Sequence, residues 1–206
     1  MQVKLHDIGK SYQHHAVFQH IDYEFNAGYR GVVLGGNGSG KSTFLKVLST
    51  ATVPTSGTVQ YLLEGKAVAE EERYKHVAYC APYIDLIEDF SLLEIIDFQS
   101  KFMSFQNNLT AKELSDLLYL ERFATKPIKS YSSGMKQRVK LALAICADSP
   151  LLLLDEPTSN LDSKGISWYK SLIQDFACDR IILVASNRIA DEYDFTTDQI
   201  SIEDYK

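Results

Sequence analysis

The residues Gly35-Gly36-Asn37-Gly38-Ser39-Gly40-Lys41-Ser42 follow the pattern G-x-x-x-x-G-K-[ST] and lead into Thr43. This spacing suits one chemistry, the capture of nucleotide phosphates. Glycines admit positive φ, so successive backbone N–H groups can turn inward around phosphate oxygens. A helix opening at the end of the loop offers its positive N-terminal end to the same anion. Lys41 is expected on the β and γ phosphates, and the Ser42 hydroxyl on Mg²⁺. The pattern carries weight only between a strand and a helix. Val32-Val33-Leu34 precedes it as an apolar strand, and Thr43–Leu48 follows as a helix-capable stretch.

A second constellation is Leu151-Leu152-Leu153-Leu154-Asp155-Glu156-Pro157, an apolar strand that ends in two acids. A phosphate loop needs a carboxylate at such a strand end to hold Mg²⁺ directly or through water, which assigns Asp155. Glu156, next along, is expected to face a water in line with the γ-phosphate and to act as its general base.

These groups need a scaffold that brings strand ends together. Lys4–Asp7, Val17–Phe25, Arg30–Leu34, Thr58–Leu63 and His76–Cys80 read as strands. Leu151–Leu154 and Ile181–Ala185 are fully apolar, as strands buried on both faces of a mostly parallel sheet are. Ser163–Phe176 between them fits a crossover helix. Strand, helix and strand predict an α/β core. Residues 83–147 change texture. Leu92, Ile95, Ile96, Phe98 and Phe102 recur at helical spacing, as do Leu114, Leu117 and Leu118. Thr110 with Glu113 forms a capping box. The expected organisation is one domain over residues 1–206. Residues 1–82 and 148–206 form its core, and 83–147 form an inserted helical subdomain.

Composition excludes several classes. The chain has 206 residues, 45% of them hydrophobic, enough for a real core. Lys and Arg number 21 against 27 Asp and Glu, so the net charge of −6 disfavours nucleic acid as a partner. Cys80, Cys146 and Cys178 are widely spaced and odd in number, which disfavours a disulfide framework or a structural zinc site and predicts small buried apolar residues. Met1–Asp7 carries no apolar signal stretch, and no apolar run approaches the ~18–20 residues that span a bilayer. The chain is therefore expected to be soluble and to meet a membrane only through a partner. With only Arg188–Lys206 after Asn187, no further regulatory domain is expected. His6, His14, His15 and His20 read as ordinary side chains, not a metal cluster. Glu70–Arg73 reads as a solvated loop, and Trp168 as packing the crossover helix on the sheet.

Further segments in order give the sequence a family resemblance. Tyr131-Ser132-Ser133-Gly134-Met135, followed by Lys136-Gln137-Arg138-Val139, resembles the signature motif of the ATP-binding cassette (ABC) ATPases, usually Leu-Ser-Gly-Gly-Gln. Ser159-Asn160-Leu161-Asp162 resembles their D-loop, and Ser91-Leu92-Leu93-Glu94-Ile95 a characteristic helix start. The resemblance covers nearly the whole chain. It implies a P-loop NTPase core with a small antiparallel β region beside the parallel sheet. It implies ATP and Mg²⁺ as cofactors, with Tyr12 stacking on adenine. It also implies a head-to-tail dimer in which Ser132, Ser133 and Gly134 of one cassette meet the γ-phosphate held by the other. The second cassette is the same chain or a related one.

The sequence departs from the family at three places. The usual Gln after the strand ending at Cys80 is replaced by Pro82, which has no side-chain ligand to offer. The usual switch His after Ile181–Ala185 is replaced by Asn187, a neutral group that can donate to a γ-phosphate oxygen. The signature has Ser133 and Met135 in place of its first Gly and final Gln. The expected outcome is retained ATP binding with slowed hydrolysis. The function implied is the ATP-hydrolysing subunit of an ABC transporter, peripheral on the cytoplasmic face of the membrane through a membrane-spanning partner. That partner's docking surface is expected near Tyr83–Phe90. Two alternatives stand beside it: a soluble ABC ATPase unconnected with transport, and a slow regulatory cassette in a heterodimer.

Overall fold

The computed structural model describes residues 1–13 and 15–206; His14 lies outside the described residues. In chain order the elements are β1 (Gln2–Tyr12), β2 (His15–Asn26), β3 (Arg30–Leu34), α1 (Lys41–Leu48), β4 (Ser56–Leu63), β5 (Lys66–Ala67) and β6 (Val77–Cys80). There follow α2 (Leu92–Ser100), α3 (Ala111–Leu117), α4 (Ser133–Ile145), β7 (Leu151–Asp155), α5 (Ser163–Phe176), β8 (Ile181–Ser186) and β9 (Asp198–Ser201). They group into two compact units. One comprises Met1–Tyr79, Pro150–Glu156 and Asp179–Lys206; the other comprises Cys80–Ser149 and Pro157–Cys178.

The first unit holds two sheets. One is antiparallel, in the order β2-β1-β4-β5; the other has five strands in the order β6-β7-β8-β3-β9. β3 pairs in parallel with β8 and β9, and β7 in parallel with β8. Every residue of β7 and β8 is buried, which explains their unbroken apolar runs. Phe18, Phe25, Phe44, Leu45, Leu153 and Leu183 belong to one core cluster. Burial of each such side chain contributes about 1.5–3 kcal/mol. Parallel register also positions the chemistry. Leu34 lies opposite Ser186, and Asp155 opposite Ala185, so the loops leaving β3, β7 and β8 emerge from one edge.

The second unit is helical. Ser91 with Glu94 and Thr110 with Glu113 both form complete capping boxes, opening α2 and α3. Leu92, Ile95 and Ile96 are buried, whereas Phe98 and Phe102 of the same apolar series are exposed. The two rings lie 5.1 Å apart, and Phe90 meets Phe98 edge-on at 6.0 Å.

Some expectations change. Residues 70–76 form a 3-10 helix, not an open loop. Cys80 and Cys146 are buried but Cys178 is exposed, because it lies just past the C-terminus of α5. The Trp168 indole N–H donates to Leu117 O at 2.8 Å and Arg138 stacks over the ring at 5.6 Å, so Trp168 engages α3 and α4. His6 and His20 pair separately with Asp22 and Asp7. Among the described residues no helix is long and apolar enough to cross a membrane.

Candidate functional site

The phosphate loop runs from the end of β3 to the start of α1. Gly38 and Gly40 have φ of 74° and 110°, in the region that favours glycine. At Gly40 a Cβ would also stand 2.5 Å from Val17 Cγ1. The loop turns upon itself through Ser39 N–H donating to Gly36 O at 3.1 Å, and Phe44 N–H donating to Gly40 O opens the helix. Ser39 is buried, and its hydroxyl has no partner among the described residues.

Lys41 is only 4% exposed. Its ammonium group has three donors. They go to Gly35 O and Gly36 O, both at 2.9 Å, and to Asn187 Oδ1 at 2.6 Å. Burial pulls its pKa below the ordinary lysine value, against the opposing carboxylates of Glu156, Asp155, Glu203 and Glu192. Asn187 also donates from Nδ2 to Glu156 Oε1 at 2.6 Å. One neutral amide thus joins the cation of the loop to the acid after β7. Glu156 is held by its backbone too: its N–H donates to Ala185 O at 2.9 Å, and its φ is 43°. A left-handed carboxylate residue just past a buried strand is the kind of strain that persists at functional sites.

Asp155 is 1% exposed at the end of β7. A carboxylate and a hydroxyl such as those of Asp155 and Ser42 are hard oxygen donors of the kind that suits Mg²⁺. A cavity of about 250 Å³ is lined by Tyr12, Val17, Asn37 to Thr43 and Glu156. Tyr12 is half exposed there, with Lys10 Nζ 4.9 Å from its ring centre. Gly35 and Gly36 line an adjoining pocket with Asn187, Arg188 and Glu203.

The sequence reading did not include Glu203. Its carboxylate accepts the Gly36 N–H at 3.1 Å, and that bond is the main cause holding its pKa below the usual range. The two residues are 167 positions apart in the chain, and no local motif marks the acid.

In the second unit Ser132 caps α4, its Oγ accepting the Met135 N–H at 3.2 Å. Ser133 and Gly134 occupy the first turn, so this helix directs its N-terminal amides outward beside a hydroxyl. Pro82 sits in a loop gripped by α4. Lys140 Nζ donates to Pro82 O at 2.9 Å and to Ala81 O at 3.4 Å, and Lys136 pairs with Glu88. A side chain of the signature helix thus holds this loop by its carbonyls.

A glycine-rich loop between a parallel strand and a helix, with acids at the end of a second strand of the same sheet, defines a P-loop nucleoside triphosphatase of the α/β class. The family model described as "ABC transporter" matches residues 18–159. The chain belongs to that family. It is 29% identical over 201 residues to an uncharacterised ABC transporter ATP-binding protein, YcbN of Bacillus subtilis (strain 168), a match covering 97% of this chain and 66% of that protein. It is 26% identical over 198 residues to the lantibiotic transport ATP-binding protein SrtF of Streptococcus pyogenes, covering 96% and 85%. Among solved structures the fold matches the ATP-binding subunit of an ABC transporter, with a TM-score of 0.81, 23% identity, and coverage of 98% and 87%. It also matches a dimeric ATP-binding cassette bound to ADP and Pi, with a TM-score of 0.79, 22% identity, and coverage of 98% and 95%.

Proposed function

We propose that this cassette powers a membrane transporter and works as a head-to-tail pair clamping two ATP. The observation that carries its mechanism is the Lys41–Asn187–Glu156 chain of hydrogen bonds. The backbone of Gly35 to Thr43 cradles the phosphates, and Tyr12 stacks on adenine. Ser42 and Asp155 would hold Mg²⁺, which would supply charge neutralisation to the bound phosphates. When ATP enters, Lys41 exchanges one of its three acceptors for phosphate oxygen. Asn187 keeps Glu156 oriented, and because its amide carries two N–H groups, the second remains to donate to the γ-phosphate. Glu156 takes the proton of the attacking water. Ser132, Ser133 and the Gly134 amide contact the γ-phosphate held by the second cassette.

The membrane partner docks on the second unit. Tyr83, Ile87, Phe98 and Phe102 expose 42–60% of their surface, in a segment that also carries Asp85, Glu88 and Asp89. Through that partner the cassette lies on the cytoplasmic face of the membrane. Residues 83–147 act as the helical subdomain that transmits motion.

Hydrolysis by this chain is slow, because Pro82 offers no side-chain ligand and Asn187 carries no charge. A regulatory cassette within a heterodimer is favoured by the same two residues. The test is purification of the tagged chain from its native cells in mild detergent. Recovery with a stoichiometric multi-helix membrane protein is expected. Recovery with ribosomes, or with no membrane protein, would overturn the transporter reading. Clear ATP binding with negligible turnover by the purified chain would favour the regulatory one.

A further inference from the structure

Gln137 lies one turn into α4 and is 1% exposed. A fully buried amide is rare unless both of its ends are used. Here only one is. Nε2 donates to Pro157 O at 2.9 Å, while Oε1 has no partner among the described residues. A half-satisfied buried amide is poorly suited to stabilising a core, since the orphan acceptor costs about as much as the made bond returns. Its geometry has another use. Pro157 opens the segment that becomes the D-loop, which is closed by Leu161 N–H donating to Thr158 O at 3.0 Å. Two further contacts tie the same segment to the same helix. A Cβ on Gly134 would stand 2.9 Å from Asn160 O, so helix and loop touch backbone to backbone there. Arg138 Nη2 lies 3.8 Å from Asp162 Oδ1, and Asp162 caps α5 by accepting the Gly165 N–H at 2.7 Å.

We propose that Gln137 is a positioning residue that registers the D-loop, Ser159–Asp162, on the signature helix. The two loops then approach the second cassette's ATP as one rigid face. The contacts at Gly134 and Asp162 set the distance and the far end. The Gln137 bond fixes the near end, where the chain leaves the strand carrying the acids. The proposal rests on the reading of Ser132 to Gly134 as groups acting across a dimer.

The test is Gln137→Met in a Glu156→Gln background, which arrests turnover and lets the ATP-bound dimer accumulate. Methionine keeps the volume and removes the donor. It also removes the orphan Oε1 while leaving Pro157 O unpaired, so one unmet acceptor replaces another and the melting temperature should stay within a few degrees. The expected result is ATP-driven dimerisation weakened about tenfold, with binding of a fluorescent ATP analogue to the monomer unchanged. Amide exchange in residues 158–161 of the monomer should also quicken, while residues 133–145 stay protected. Gln137→Leu serves as the second variant if the methionine form does not fold. Unchanged dimerisation in the folded variant would overturn the proposal. So would loss of dimer in proportion to a lowered melting temperature, which would mark ordinary core packing. Failure of the Glu156→Gln parent to dimerise with ATP would overturn the dimer reading itself, and the proposal with it.

Discussion

The phosphate loop and the signature segment address one electrostatic problem with different materials. The first gathers its groups from the ends of three parallel strands and pairs a buried cation with carboxylates. Lys41, Asn187 and Glu156 come from three separate stretches of chain and satisfy one another before any nucleotide arrives. The second uses no charged group for the anion. One hydroxyl caps a helix, the first-turn amides point outward, and every group is local in sequence. The contrast implies a division of labour. Under the proposed function, the pre-charged network binds ATP tightly in one cassette, and the uncharged helix end adds a smaller increment, felt only when a second molecule approaches.

Each part of this contrast can be broken separately. The largest effects belong to the charged network. Lys41→Ala should raise the ATP dissociation constant of the monomer roughly ten- to a hundredfold, since a hydrogen bond to phosphate charge is worth ~1.5–3 kcal/mol. Titration of the variant with a fluorescent ATP analogue measures this, and near-normal affinity would refute the role given to Lys41. Glu156→Gln should leave binding intact and cut turnover ~10²-fold or more, read by phosphate release. Turnover near wild type would remove Glu156 as the base.

The bridging amide comes next. Asn187→His should raise turnover roughly ten- to a hundredfold, because it restores a charge-capable donor to the γ-phosphate. An unchanged or lower rate would show that the amide, by linking Lys41 to Glu156, already serves this chain best.

The signature side should respond more weakly. Ser132→Ala removes a helix cap worth ~1 kcal/mol. ATP-dependent dimerisation should fall about fivefold while monomer binding stays unchanged. If monomer binding falls as far as it does for Lys41→Ala, the division of labour is wrong.

The smallest effect separates stability from chemistry. Tyr23 and Tyr29 both donate to Asp198 Oδ2 at 2.8 Å and hold its carboxyl below the ordinary range. A lowered carboxyl pKa adds stability above its unfolded value of about 3.9 and loses it as pH falls through the folded value. Tyr29→Phe should therefore cost about 1 kcal/mol at pH 7, and the melting difference from wild type should narrow below about pH 4. ATP binding should not change.

Legibility in the sequence followed the same division. The strand Arg30–Leu34 and the helix Ser163–Phe176 have the bounds that apolar pattern alone assigns. The capping box at Thr110 was legible because a cap joins residues only three apart, whereas Ser91 was read only as a helix start resembling the family's. Strand β9 was not, since three of its four residues are polar and it owes its conformation to pairing with β3. Phe98 and Phe102 keep helical spacing with Ile95, yet they face solvent; periodicity does not say which apolar stripe a neighbour covers.

The sequence by itself determined the phosphate loop, the acids at the end of β7, the capped signature helix and the family. Each is set by residues adjacent in the chain, whose backbone geometry is local. Only the tertiary structure decided that Asn187 spans Lys41 and Glu156, that Glu203 accepts the Gly36 amide, and that Gln137 holds Pro157. Those partners lie 20 to 167 residues apart. They meet because parallel register aligns strand ends or because a helix packs on a distant loop, and a side chain's type does not announce which distant group it will find.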